Sequence, residues 1–346
     1  MPAPNNNIIV SADMIPVASE NEYYTIRALP GKGYGCIALR SIPRGTRILV
    51  DEPLLIVHKA DYMKADIEAS FFCLTPSQKE AYFTLHSGHG QPVSAWPSQI
   101  HPSVPARDRQ RIEEQHAART GPAPTLISIF QANCMEMGAG AAVFLHTSRF
   151  NHACVPNACF TWNAAIGRET IHTMRDVEEG EEITISYVDM EHDKRLRAWE
   201  LKHYGFVCGC DACGDEEDEA SYAYESAERR LQIQVLGRET RLLRGSRLTE
   251  GAKQPGFVNK LLKLAVLLQE EGCWDARLAG VFFDIALVCE YNVDFKMGVI
   301  AGEKAVRIKK DCQGIDFPDF KKYAEAVERI KASRRREMGE ANGWRA

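Results

Sequence analysis

The sequence lacks what would place it across a membrane, on a nucleic acid or in a disulfide scaffold. No apolar run approaches the ~20 residues that span a bilayer. The opening Met1-Pro2-Ala3-Pro4-Asn5-Asn6-Asn7 has no basic start followed by an apolar core, so it does not read as a signal peptide. There is no excess of basic charge: the formal net charge is −5, and direct nucleic-acid binding is not expected. Apolar residues make up 45%, too many for a disordered chain. Eleven cysteines is an odd number, scattered except for one cluster. They read as reduced thiols plus a metal site, and the expected compartment is cytoplasm or nucleus. At 346 residues the chain is long enough for two domains.

What is present centres on the stretch from Asn151 to Cys213. It opens with Asn151-His152-Ala153-Cys154-Val155-Pro156-Asn157, runs through Glu182-Ile183-Thr184-Ile185-Ser186-Tyr187, and closes with Tyr204-Gly205-Phe206-Val207-Cys208-Gly209-Cys210-Asp211-Ala212-Cys213. These are a polar loop, a β-branched strand ending in tyrosine, and a cysteine cluster. Cys208, Cys210 and Cys213 can grip one zinc ion, but structural zinc is nearly always four-coordinate. The fourth ligand must come from elsewhere: Cys154 is the first candidate, with Cys159 and His152 as alternatives. Such a site couples docking of the tail to metal binding.

Taken in order, residues 1–22 are polar and irregular. From Tyr23, short β-branched runs punctuated by Gly and Pro predict a β-rich domain: Tyr23–Arg27, Cys36–Leu39, Ile48–Val50 and Leu54–Val57. Gly33-Tyr34-Gly35 lets backbone amides approach a ligand closely, although a lone pair of glycines usually makes only a turn. Residues 59–125 read as a helical insertion, with Thr75 as an N-cap between two short helices and Ser87–Pro105 as loop. Leu126–Phe130 and Val143–Leu145 read as a pair of strands returning to the core. The acidic run Asp176–Glu182 reads as solvated surface. After Asp215-Glu216-Glu217-Asp218-Glu219, helices are predicted over Ser221–Arg244, Val258–Glu271, Asp275–Tyr291, Phe295–Cys312 and Asp319–Arg336. They suggest antiparallel pairs of tetratricopeptide-like form, with no strict repeat.

The chain resembles the SET-domain protein-lysine methyltransferases. The matching pieces are Gly33-Tyr34-Gly35, the Asn151–Asn157 string, Ile185-Ser186-Tyr187 and the C-x-C-x2-C tail after Tyr204-Gly205-Phe206, over roughly residues 23–214. It is most similar to the SET-and-MYND type, but residues 59–125 contain only Cys73 and so lack the MYND zinc finger. The resemblance implies an α+β fold: a flexible N-terminus over 1–22, a β-rich SET domain over 23–207 with a helical insertion at 59–125, a post-SET zinc tail over 208–214 and an all-α region over 215–346. It implies an S-adenosylmethionine-dependent protein-lysine N-methyltransferase acting on a histone or non-histone protein. Lys32, Gly33, Tyr34, Gly35, Asn133, Ser148, Asn151, His152, Tyr187 and Phe206 would line the S-adenosylmethionine site. Tyr187 and Tyr204 would sit at the bottom of the lysine channel as catalytic residues. Cys154, Cys208, Cys210 and Cys213 would bind a structural zinc. The competing expectation is a catalytically silent SET-fold scaffold that binds protein partners through its helical region.

Overall fold

The structure, a computed structural model, describes residues 21–343. The expectation of an irregular N-terminus falls almost wholly outside the described residues. The strands and helices run in the order β1 (Tyr24–Leu29), β2 (Gly33–Ala38), β3 (Arg47–Asp51), β4 (Pro53–Val57), α1 (Lys64–Phe72), α2 (Pro76–Phe83), α3 (Ala106–Thr120), α4 (Leu126–Asn133), β5 (Cys134–Met137), β6 (Gly140–Phe144), β7 (Asn151–His152), β8 (Ala158–Asn163), β9 (Arg168–Thr173) and β10 (Glu182–Ile185). They continue as α5 (Lys194–Leu201), α6 (Tyr222–Arg241), α7 (Leu248–Ala252), α8 (Phe257–Glu270), α9 (Ala276–Tyr291), α10 (Phe295–Gln313) and α11 (Phe320–Gly343). No helix among the described residues is long and apolar enough to cross a membrane.

The chain divides into two compact units. Among the described residues, the first comprises 21–22, 52–148 and 203–205. It holds a three-stranded antiparallel sheet in the order β4-β6-β5. Leu55, Val57 and Val143 of that sheet bury against Ile67 and Phe71 of α1, Tyr82 of α2 and Phe130 of α4. As the sequence suggests, Thr75 caps α2, its side chain accepting from the Gln78 amide. Leu126–Phe130 departs from expectation, because it is helical rather than a strand. Thr125 and Ser128 close a reciprocal capping box that starts α4, and this local hydrogen bonding decides what a short, mostly apolar run leaves ambiguous.

The second unit comprises 23–51, 149–202 and the described chain from 206 onward. Its first sheet runs β1-β2-β10-β7, antiparallel except for the parallel pair β10 and β7. Its second runs β3-β9-β8, antiparallel throughout. The predicted C-terminal helices form close to their expected bounds, as α6, α8, α9, α10 and α11. Their N-caps are Ser221, Asp275 and Asp294, whose side chains each accept a first-turn amide. The helices bury Leu261, Leu264, Phe282, Ile285 and Ile330 in one apolar core. This helical region and the β3-β9-β8 sheet pack as one body, with α10 against β8 and β9. Arg47 of β3 donates to the Asp316 carboxylate at 3.0 Å, and the Arg44 guanidinium lies 4.1 Å from the Trp274 ring centre.

Candidate active site

One sheet carries most of the chemistry. The β1–β2 hairpin turns through Pro30–Lys32, where the Lys32 amide donates to the Leu29 carbonyl at 3.1 Å. Gly33 has φ +72°, a left-handed conformation that costs a side-chain-bearing residue energy. Gly35 is needed for a different reason. A Cβ there would stand 2.5 Å from Leu29 Cδ1, 2.7 Å from Asn151 Nδ2 and 2.8 Å from Glu182 Oε1. Asn151 fills that space to donate to the Tyr34 carbonyl at 3.0 Å and to the Glu182 carboxylate at 2.8 Å. Glu182 also accepts from Lys32 at 2.7 Å. Lys32, Tyr34, Gly35 and Asn151 therefore belong to one network centred on Glu182, a residue the sequence reading left in a solvated acidic run. Glu181 is committed too: it binds Arg175 and accepts from Asn157 at 3.0 Å. Asn157, buried, also accepts the Thr184 amide at 2.8 Å, which fixes the loop after β7 to β10. The end of the acidic run is thus structural: Glu181 and Glu182, both half-buried, hold Asn157 and Asn151 of the loop.

Tyr187 follows β10. Its hydroxyl donates to the Phe150 carbonyl at 2.6 Å, and its amide donates to His152 Nδ1 at 3.0 Å. The Tyr187, His152 and Phe206 rings gather with centroids 5.4 Å (Tyr187–His152), 6.1 Å (His152–Phe206) and 6.3 Å (Tyr187–Phe206) apart. Burial lowers the His152 pKa to about 4, so the ring is neutral near pH 7.

The structure brings Cys154 to the three cysteines of the tail. The sulfurs of Cys154, Cys208, Cys210 and Cys213 all lie within 4.8 Å of one another. Cys154 Sγ is 3.9 Å from Cys208 Sγ and 3.5 Å from Cys213 Sγ. A tetrahedron with zinc–sulfur bonds of about 2.3 Å has edges of about 3.8 Å, so the donor set fits zinc. Cys159, the alternative ligand, instead donates to the carbonyls of Cys312 at 3.3 Å and His172 at 3.7 Å. Hydrogen bonding among the four thiols pushes the Cys154 and Cys208 groups up and draws Cys210 and Cys213 down. Two buried arginines back the cluster, and sequence patterning gave no sign of either. Arg197 donates to the Ala212 carbonyl at 2.8 Å and reaches Cys213 Sγ at 3.8 Å. Arg230 donates to the Cys154 carbonyl at 2.9 Å and pairs with buried Glu271 at 2.8 Å. Their cationic charge favours the thiolate forms that a metal requires.

Three predicted site residues belong to the first unit. Asn133, buried, donates to the carbonyls of His86 at 2.8 Å and Ile129 at 2.7 Å. Ser148 donates to the Phe144 carbonyl at 2.6 Å. The Tyr204 backbone is hydrogen-bonded to the His86 side chain.

Residues 33–188 match the SET domain family. The chain is 28% identical to histone-lysine N-methyltransferase set5 of Schizosaccharomyces pombe over 313 residues, covering 89% of this chain and 85% of that protein. It is 33% identical to histone-lysine N-methyltransferase SMYD3 of Homo sapiens over 94 residues, 27% of this chain and 21% of that protein. A solved structure of Rubisco LSMT bound to AdoMet aligns with 92% of this chain and 88% of its own at a TM-score of 0.34 and 13% identity, too loose a fit to bear on the argument. Strand β2, the Asn151–Asn157 loop, β10 and Tyr187 fall within residues 33–188, the part of the chain that matches the SET domain family.

Proposed function

We propose that the chain transfers methyl groups from S-adenosylmethionine to lysine side chains of a protein, with a structural zinc holding its cysteine tail. The SET domain match and the likeness to set5 over most of both proteins' lengths make it a protein-lysine N-methyltransferase. The observation that carries the cofactor and site assignment is the convergence on one sheet: β2 and the turn before it bring Lys32–Gly35, β7 brings Asn151 and His152, and β10 leads into Tyr187.

In this reading Lys32, Gly33, Tyr34, Gly35, Asn151, His152 and Phe206 surround S-adenosylmethionine, with Asn133 and Ser148 assigned to the same site. Tyr187 and Tyr204 line the lysine channel, and Cys154, Cys208, Cys210 and Cys213 hold zinc. The donor supplies a sulfonium methyl: the carbon–sulfur bond breaks as the carbon–nitrogen bond forms, leaving a neutral thioether. The protein's task is then alignment and exclusion of water. Tyr187 gives its only hydroxyl proton to the Phe150 carbonyl, so toward a substrate its oxygen acts as an acceptor. It would take a hydrogen bond from the lysine nitrogen and point the nitrogen lone pair away, along the line of attack. An apolar channel favours the uncharged amine that attack requires. Zinc would fasten Phe206 beside His152 and take no part in the transfer.

The domain plan goes with this reading: a SET domain over 23–207 with an insertion at 59–125, a zinc tail over 208–214 and a tetratricopeptide-like helical region over 215–346. It is a SET-and-MYND layout without the MYND finger. A nuclear or cytoplasmic protein, a histone among the candidates, is the substrate class. The test is methyl transfer by zinc-replete protein to a pool of histones and cell proteins, read by mass spectrometry, beside Tyr187→Phe. Lysine methylation that falls at least about 100-fold in the variant, within the range a positioned catalytic group contributes, supports the assignment. Undiminished activity in the variant removes Tyr187 from the mechanism.

A further inference from the structure

His152 faces two structures at once. Its Nδ1 lies 3.0 Å from the Tyr187 backbone nitrogen, and a backbone N–H can only donate. Nδ1 is therefore the acceptor, and in a neutral imidazole the single proton then stands on Nε2. Nε2 lies 3.3 Å from Cys154 Sγ. The N–H thus donates to sulfur, and a thiolate is the stronger acceptor, the form in which cysteine binds a metal. The ring cannot turn away easily, being only 8% exposed and packed near the Tyr187 and Phe206 rings. Its backbone is also held: β7 pairs with β10 at Ile185, and the Ala153 amide donates to the Ile185 carbonyl at 3.0 Å.

We propose that His152 is a positioning residue that links the cysteine cluster to the active-site tyrosine: Nε2–H donates to Cys154 Sγ while Nδ1 accepts from the Tyr187 amide. This rests on the zinc and Tyr187 readings given above. The Tyr187 hydroxyl is anchored on the Phe150 carbonyl and its amide on His152. The amide anchor ends on a ring whose other nitrogen is one hydrogen bond from Cys154 Sγ. The cluster would then do more than close the tail, because the geometry of Cys154 sets where the Tyr187 backbone sits.

Two variants separate the halves of the bridge. In His152→Asn the amide oxygen replaces the Nδ1 acceptor and nothing reaches Cys154. In His152→Gln the amide nitrogen replaces the Nε2 donor and nothing accepts from Tyr187. Full-length protein loaded with cobalt in place of zinc reports the thiolates through their charge-transfer absorption, and zinc release to a chelator reports affinity. The Tyr187 amide resonance in the nuclear magnetic resonance spectrum reports the other end without needing activity. His152→Asn should move the charge-transfer band and weaken zinc about 10- to 100-fold, the usual effect of losing a hydrogen bond to a ligand. His152→Gln should keep the band and move the Tyr187 amide resonance. It should also lower kcat about 10-fold or more while the KM for S-adenosylmethionine holds, the pattern of lost transition-state alignment. An unchanged cobalt band and zinc affinity in His152→Asn, or an unchanged Tyr187 resonance in His152→Gln, would overturn the proposal. If the wild-type protein transfers no methyl group yet both spectroscopic responses appear, the function reading fails and the bridge stands.

Discussion

Gly33 and Gly35 stand two residues apart in one strand, and the structure gives them opposite requirements. Gly33 has φ +72° with nothing within 4 Å of a built Cβ, so it needs backbone freedom and has room to spare. Gly35 needs room: a Cβ would press on three atoms, all at 2.8 Å or less. Those atoms end flexible side chains, but two of them are committed. Moving Asn151 breaks its bonds to the Tyr34 carbonyl and to Glu182, worth about 1 kcal/mol and about 1.5–3 kcal/mol for the neutral and charge-assisted cases. Gly35→Ala should therefore cost about 2–4 kcal/mol, with overpacking alone accounting for about 1–3 kcal/mol if the side chains hold their places. Gly33→Asn should cost less than about 1 kcal/mol, because asparagine tolerates the left-handed region. The assay is urea denaturation of both variants beside wild type, with stability taken from midpoint and slope. A Gly35→Ala loss under about 0.5 kcal/mol, or a Gly33→Asn loss larger than that of Gly35→Ala, would refute the steric reasoning.

Glu169 is fully buried with both carboxylate oxygens lacking a hydrogen-bond partner, and burial, aided by Asp51, pushes its pKa up to about 9 from 4.5. The folded state holds this proton longer than the unfolded chain, so its contribution is fully present below about pH 4.5 and is lost as pH rises toward 9. At about 1.4 kcal/mol per pH unit, Glu169→Gln should flatten a decline on the order of 3–4 kcal/mol between pH 5 and 8, checked by denaturation at both values; equal slopes in both proteins would count against it. Arg230→Met should destabilise by about 3 kcal/mol by removing one cation from buried Glu271, with Arg229 still in place at 2.8 Å. The same change takes the donor from the Cys154 carbonyl, so zinc should leave faster in a chelator competition; wild-type release kinetics would separate Arg230 from the cluster.

Much of the site was legible because its signals are local. The Asn151–Asn157 string, the strand into Tyr187 and the C-x-C-x2-C tail each fit within ten residues, and the four sulfurs meet as the spacing suggests. The C-terminal helices were legible through apolar residues at three- and four-residue spacing. Leu126–Phe130 misled because a short apolar run has no period of its own, and the deciding Thr125–Ser128 box is easily passed over. Glu182 was hidden in a run of acids, since charge alone does not say which carboxylate a strand turns inward. Arg230 sits on a helix read from its apolar spacing and Arg197 on α5, which the sequence reading did not assign, and only the tertiary structure shows both buried behind the cysteine cluster.

The most direct test of the central claim is calorimetric titration of zinc-replete protein with S-adenosylmethionine, beside Asn151→Ala. The account predicts binding by the wild type and its loss or marked weakening in the variant, which frees the Tyr34 carbonyl and Glu182 from their shared partner. Equal binding by both proteins, or none by a folded wild type with substrate present, would contradict it.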